Sequence, residues 1–260
     1  MWTITESLLR INKLVPLLAF IFVLTSSVGC VSVSFGDDEI AGEETSDQIT
    51  RSFDTSSAPT INVSGFNGRI VINATEQSCV SIEANLQRPE RVSFDATIEG
   101  DVVTVSASQI GTGLFIGSNP SVQMNLNVPP ASKIDARTSN GSIKVTGVRE
   151  CMDVETSNGS IVVEDFSGCV EATTSNGSIS ISGGLSEGSE NSLKTSNGSI
   201  TVSFESEPDV AIYAKTSNGV VSTDIPILTT VMERTRLVGE YGDGSASLKA
   251  VISNGKVTFE

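Results

Sequence analysis

One tetrapeptide recurs along this chain at nearly fixed intervals. Thr-Ser-Asn-Gly occupies positions 138–141, 156–159, 174–177, 195–198 and 216–219, and Ser253-Asn254-Gly255 lies just before the end. The asparagines are Asn140, Asn158, Asn176, Asn197, Asn218 and Asn254, so the intervals are 18, 18, 21, 21 and 36 residues. That is a period of 18 with three-residue insertions in two intervals and one interval of two periods. Repetition at so short a period means that each copy packs on the next. A weaker copy, Phe66-Asn67-Gly68-Arg69-Ile70-Val71-Ile72, starts the array near Thr60.

Apolar or small residues alternate on both sides of each Asn: Ile134, Ala136 and Thr138 before it, Ile143 and Val145 after it, with the same pattern in later copies. Period two on both sides predicts two short strands with one buried face each. Ser-Asn-Gly between them reads as a turn in which Gly and Asn supply positive φ. An Asn-Gly between alternating runs ordinarily predicts a hairpin. Identical turns at a fixed period argue instead for an all-β, single-stranded parallel β-solenoid, β-helix-like, with coils of about 18 residues and roughly ten or eleven coils in all. In it the six asparagines stack as a structural ladder of side-chain amides; a ligand-binding face is the other reading of the same row. Residues 97–106 read as one further coil, and 224–244 falls out of register.

Composition narrows the functions. The chain of 260 residues carries 16 Lys plus Arg against 31 Asp plus Glu, for a net charge of −15, and has no His. Such a field disfavours nucleic acid and acidic partners in general. Without His, the Ser-His-Asp and Cys-His pairs and most zinc sites are excluded. Aromatic residues at 5% imply a core of small and β-branched side chains.

The amino-terminal region reads as an address and a tether. Arg10 and Lys13 precede an apolar run from Leu14 to Val28, too short for a membrane-spanning helix and interrupted by Pro16, so residues 1–29 are predicted to be a secretory signal of lipoprotein type. Ser27-Val28-Gly29-Cys30 resembles a bacterial lipobox, with Ser27 where Leu is usual; Cys30 would carry the lipid, and unlipidated cleavage and an uncleaved anchor are the alternatives. Residues 30–54, rich in Asp and Glu between Gly36 and Gln48, read as an acidic flexible linker, and 55–260 as the repeat domain.

Three constellations could carry chemistry. Cys151 and Cys169 each follow a repeat Asn by eleven residues, so stacked coils would bring them within disulfide reach, with two stacked thiols as the alternative. Asp135, Asp153 and Glu171 each stand five residues before a repeat Asn, so stacking sets like charges side by side. Either Arg137 and Arg149 relieve them or a cation does, and calcium suits oxygen ligands on a rigid face. Otherwise no cofactor is implied. The Gly-rich apolar loop with Ile110, Leu114, Phe115 and Ile116 reads as a cap or a partner-contact loop. Its Gly111-Thr112-Gly113 has the third glycine misplaced for a nucleotide site and no helix pattern after it, so no nucleotide is expected.

The repeated T-S-N-G-S-I, the stretch V-Q-M-N-L-N-V-P-P-A-S-K-I-D-A-R-T-S-N-G-S-I from Val122 to Ile143, and the ending G-D-G-S-A-S-L-K-A-V-I-S-N-G-K-V resemble the toast-rack, adhesin-like family of prokaryotic envelope proteins over about three quarters of the chain. The resemblance implies a β-solenoid platform outside the cytoplasm, associated with adhesion or envelope-stress assemblies, and no catalytic residue. The expected protein is therefore a non-enzymatic lipoprotein, membrane-anchored on the extracytoplasmic side through Cys30. Its partner would be an envelope protein or a surface glycan, bound on a coil face, at the apolar loop or by strand addition at an end coil. The alternative is a calcium-assisted polysaccharide-active enzyme using Asp135, Asp153 and Glu171.

Overall fold

A computed structural model of the chain describes residues 45–111, 119–205 and 207–260. The described part is all-β: one 18-stranded sheet, mostly of parallel pairs, and a single 3-10 turn at Pro89–Arg91. In chain order the strands are β1 (Ser46–Asp54), β2 (Thr60–Ser64), β3 (Ile70–Ala74), β4 (Cys79–Gln87), β5 (Val92–Glu99), β6 (Val102–Gln109), β7 (Ser121–Val128), β8 (Lys133–Asn140) and β9 (Ile143–Thr146). They continue with β10 (Met152–Asn158), β11 (Ile161–Gly168), β12 (Val170–Asn176), β13 (Ile179–Leu185), β14 (Glu190–Phe204), β15 (Val210–Thr223), β16 (Leu228–Glu233), β17 (Arg236–Tyr241) and β18 (Ala246–Phe259).

Residues preceding each Asn pair in parallel with their equivalents, as in Ile134 with Met152 and Met152 with Val170. Residues following it do the same, in the series Ile70, Ile143, Ile161, Ile179, Ile200. The alternate side chains point inward, so these five isoleucines form one continuous fully buried column. Burial of each stabilises the fold by roughly 1.5–3 kcal/mol. The core is therefore built from columns of like residues, each supported by its neighbours on both sides.

The order of the last two rungs departs from the order in sequence. β18 lies between β14 and β15, pairing in parallel with both, so Asn254 stacks between Asn197 and Asn218. The long interval before Asn254 is an excursion: after β15 the chain forms the antiparallel hairpin of β16 and β17 on the far side of β15, then returns into the gap. Repeat spacing cannot reveal this, because β15 and β18 carry equivalent patterns. With Asn67 the described ladder has seven rungs, where ten or eleven coils are expected from the sequence.

At the other end, antiparallel strands replace the repeat. Residues 97–106 form part of the hairpin of β5 and β6 rather than a coil, turning at Gly100 and Asp101 with Gly100 at φ 61°. The stretch assigned to an acidic linker already contains β1, which pairs antiparallel with β4, and Ile49 and Phe53 of β1 pack against the core. Their burial draws the last nine residues of that stretch into the sheet.

Cys151 and Cys169 lie on neighbouring copies and are joined by a disulfide. It closes a loop of 18 residues, for which the chain-entropy model gives a stabilisation of up to about 3 kcal/mol. Reduction, or Cys151→Ser, is expected to lower the urea midpoint accordingly with little change in slope; an unchanged midpoint would show that the bridge contributes nothing. Cys79, buried at the start of β4 opposite Asp54 of β1, directs its thiol to Gln77 Oε1 at 3.6 Å.

Candidate functional site

Each copy spends its Thr-Ser-Asn-Gly on contacts with the copy beside it. Asn140 Nδ2 donates to Asn67 Oδ1, Asn158 to Asn140, Asn176 to Asn158, Asn197 to Asn176 and Asn254 to Asn197, each at 2.9 Å, and Asn218 donates to Asn254 at 3.0 Å. Four of the five buried motif threonines donate to the glycine carbonyl of the adjacent copy, Thr156 to Gly141, Thr174 to Gly159, Thr195 to Gly177 and Thr216 to Gly255, whereas the Thr138 hydroxyl, next to the weaker copy at Asn67, finds no partner among the described residues. In the inserted β18 the Thr position holds the buried Ile252.

Positive φ accounts for only some of the motif's glycines, since Gly68, Gly141, Gly198 and Gly255 lie between φ 119° and φ 154°. Gly159, Gly177 and Gly219 do not have left-handed φ, and no Asn of the ladder does. What excludes a side chain is proximity: a Cβ on Gly159 would lie 2.0 Å from Gly141 O, and one on Gly177 would lie 1.9 Å from Gly159 O. The motif is thus consumed in stacking, and the outward rows remain for recognition.

The row five residues before each Asn runs Asn62, Asp135, Asp153, Glu171, Ser192, Lys249, Tyr213, Val238 across eight strands. At 4.8 Å per strand it is about 34 Å long. Asp135, Asp153 and Glu171 are therefore neighbours. Arg137 bridges the acidic end, with Nη1 2.8 Å from Asp135, Nη2 2.7 Å from Asp153 and Nε 3.5 Å from Glu155. Its slight burial disfavours the charged guanidinium, but Asp135 and Asp153 outweigh this and raise its pKa above the ordinary value. Glu171 pairs with Lys194 at 3.6 Å. Arginine thus occupies the position a calcium ion would need, and among the described residues no three Asp, Glu or Cys side chains are grouped to hold a metal. Arg149 is engaged through its backbone N–H, to Pro130 O.

Arg137→Ala leaves Asp135, Asp153 and Glu155 without their shared cation. Because the side chains are half-exposed, the expected loss of stability is only about 0.5–1 kcal/mol, and added salt should diminish it. Equal unfolding midpoints for the variant and the parent at low salt would show that the bridge is energetically idle.

The other end of the same face is basic and concave. Lys249 of β18 sits beside Tyr213 of β15, and β17 and β16 extend the sheet beyond them. Together they form a groove of about 260 Å³ lined by Ala211, Tyr213, Thr230, Val238, Glu240 and Lys249. The Arg236 guanidinium lies 5.6 Å from the centre of the Tyr213 ring, in cation–π range. Sequence reading missed these residues, although a signal existed: Tyr213 and Lys249 stand five before Asn218 and Asn254, the same place as the acidic row. β16 is an edge, but a bulge between Thr229 and Val231 interrupts its ladder, which discourages a straight added strand.

Of the expected contact loop, Ile110 is described and 49% exposed; Leu114, Phe115 and Ile116, like Cys30 and the signal segment, lie outside the described residues. No helix among the described residues is long and apolar enough to cross a membrane.

A family model described as Toastrack DUF4097 matches residues 38–260. Among solved structures, the chain is similar to a "putative cell adhesion protein" from Clostridium sporogenes (TM-score 0.48, 16% identity, covering 83% of this chain and 99% of that one). It is also similar to a "putative adhesin" from Bacteroides fragilis (TM-score 0.43, 11% identity, 82% and 97%) and to a "putative lipid binding protein" from Parabacteroides distasonis (TM-score 0.32, 12% identity, 82% and 96%). No curated protein matches.

Proposed function

We propose that this chain, which belongs to the Toastrack DUF4097 family, is a non-enzymatic envelope lipoprotein whose parallel β-solenoid serves as a rigid adhesin-like binding platform. The observation that carries the reading is the continuous outward row from Asn62 to Val238, in which repeated backbone pairing sets polar and charged side chains at fixed spacing. A face ordered in this way binds without losing backbone conformational entropy, which favours extended ligands presented by a surface. The Asp135, Asp153 and Glu171 row offers an enzyme little, since Arg137 and Lys194 already neutralise it. The acyl anchor at Cys30 would hold the platform on the outer side of the membrane.

Two measurements test this. Intact mass of the membrane fraction should show a chain beginning at Cys30 with added acyl mass, and Cys30→Ala should move the protein to the soluble fraction. Cells producing the anchored protein should then be retained on polysaccharide- or envelope-coated surfaces better than cells producing the Cys30→Ala variant. Equal retention of the two strains, despite confirmed anchoring, would remove the adhesin reading.

A further inference from the structure

We infer that the groove around Tyr213 is a binding site for a carboxylate-bearing sugar unit of an acidic polysaccharide. The inference rests on the platform reading above and assigns it a place and a ligand chemistry. Net charge argues against an acidic ligand, and the distribution of charge on this face reverses that argument locally.

Along the row five before each Asn, the side chains change from Asp135, Asp153 and Glu171 through Ser192 to Lys249 and Tyr213. Three before each Asn, the order is Arg137, Glu155, Thr173, Lys194, Val251, Lys215, and Arg236 follows on β17. The two rows together place Lys249 beside Tyr213 in the lining of the groove, with Lys215 two residues further along β15 and Arg236 opposite it on β17. The two halves also differ in how their charges are satisfied. The acids are paired, Asp135 and Asp153 with Arg137 and Glu171 with Lys194, whereas Lys215 and Lys249 have no carboxylate within ion-pair distance among the described residues. Two ammonium groups on a rigid sheet, beside a third cation held over an aromatic ring, form a site for an anion.

The rest of the groove selects the kind of anion. It is concave and of the order of one sugar ring in volume, at about 260 Å³. Ala211, Val238 and the half-buried Tyr213 supply an apolar floor, against which the C–H face of a pyranose can lie. Ser247, Thr230 and Glu240 at its walls supply the donors and acceptors that sugar hydroxyls need. The apolar groups inside the groove form the floor of a recess that a ring can enter; Leu228 and Met232, exposed on the neighbouring β16, are the groups a membrane surface would meet instead, and the vesicle arm of the test reads that outcome. The assignment puts the ring in the groove against Tyr213 and turns its carboxylate toward Lys249 in the lining and Lys215 beside it.

The test is titration of the full chain in detergent with tetragalacturonate and with its methyl ester, which keeps the rings and removes the charge. The acid should bind, the ester should bind much more weakly, and rising salt should reduce the difference. Lys215→Ala with Lys249→Ala should weaken binding of the acid roughly tenfold or more, the effect of losing a charge-assisted contact. Tyr213→Leu should weaken both ligands, and Lys144→Ala, on the strand following Asn140, should leave binding unchanged. Equal affinity for acid and ester, or undiminished binding by the double variant, overturns the assignment. So does binding to phosphatidylglycerol vesicles without binding to the oligouronate. If no sugar binds while anchored cells still adhere, the groove assignment fails and the platform reading stands; if adhesion also fails, both fall.

Discussion

A Gly177→Ala chain is expected to lose about 4 kcal/mol or more of folding free energy, among the largest effects a single methyl group can produce. The new Cβ would sit 1.9 Å from Gly159 O and 2.5 Å from its carbonyl carbon. Neither atom can rotate aside, since both belong to the neighbouring main chain. Relief requires the two copies to separate, and everything that joins them there is short: Asn176 to Asn158 at 2.9 Å, Thr174 to Gly159 at 3.0 Å, and the Gly159 N–H to Asn176 O at 3.1 Å. Gly184→Ala is the matched control, because nothing lies within 4 Å of a Cβ there and its φ is not left-handed. It should stay within about 0.5 kcal/mol of the parent, as surface changes do. Urea unfolding of both at equal slope decides the matter. Coincident midpoints would mean that the stacked glycines are a turn preference and not a steric requirement.

The same column shows what sequence can and cannot convey. Asn140, Asn158 and Asn176 recur at 18 residues, and the ladder through them follows from that interval alone. The reason for their glycines does not, because positive φ and close approach leave the same residue in the sequence. Antiparallel β1, β4 and β5 were illegible for a related reason: a strand with one buried face alternates with period two whichever way its partner runs. The bridge between Cys151 and Cys169 needed only the repeat, whereas the groove needed β17, from a segment without repeat spacing, to be placed beside β15. Even so, Tyr213 and Lys249 occupied the same repeat position as Asp135. The side-chain type changed along the row and hid the equivalence.

Phe259→Ala is expected to cost about 3–5 kcal/mol, the range for emptying a buried phenylalanine site, although the residue is next to last in the chain. The cost follows from the place of β18 as an interior strand, between β14 and β15. Phe259 is fully buried, paired with Val202 on one side and Thr223 on the other. The terminal Glu260 exchanges backbone hydrogen bonds with its neighbours, its N–H donating to Val202 O and its carbonyl accepting from Phe204 N–H. Asp224 N–H in turn donates to Phe259 O. The last residues thus connect β14 to β15, and with β15 the hairpin that completes the groove. Loosening them should therefore reach the groove, and hydrogen exchange in the Phe259→Ala chain should accelerate in β14, β15 and β17 before it does in β10 and β12. Were the copies stacked in chain order, β18 would pair with β15 but not with β14, Phe259 would lie on an outer coil at a smaller cost, and exchange in β14 would be unaltered. The two arrangements predict different magnitudes and different locations for the same substitution, so one exchange experiment on one variant separates them.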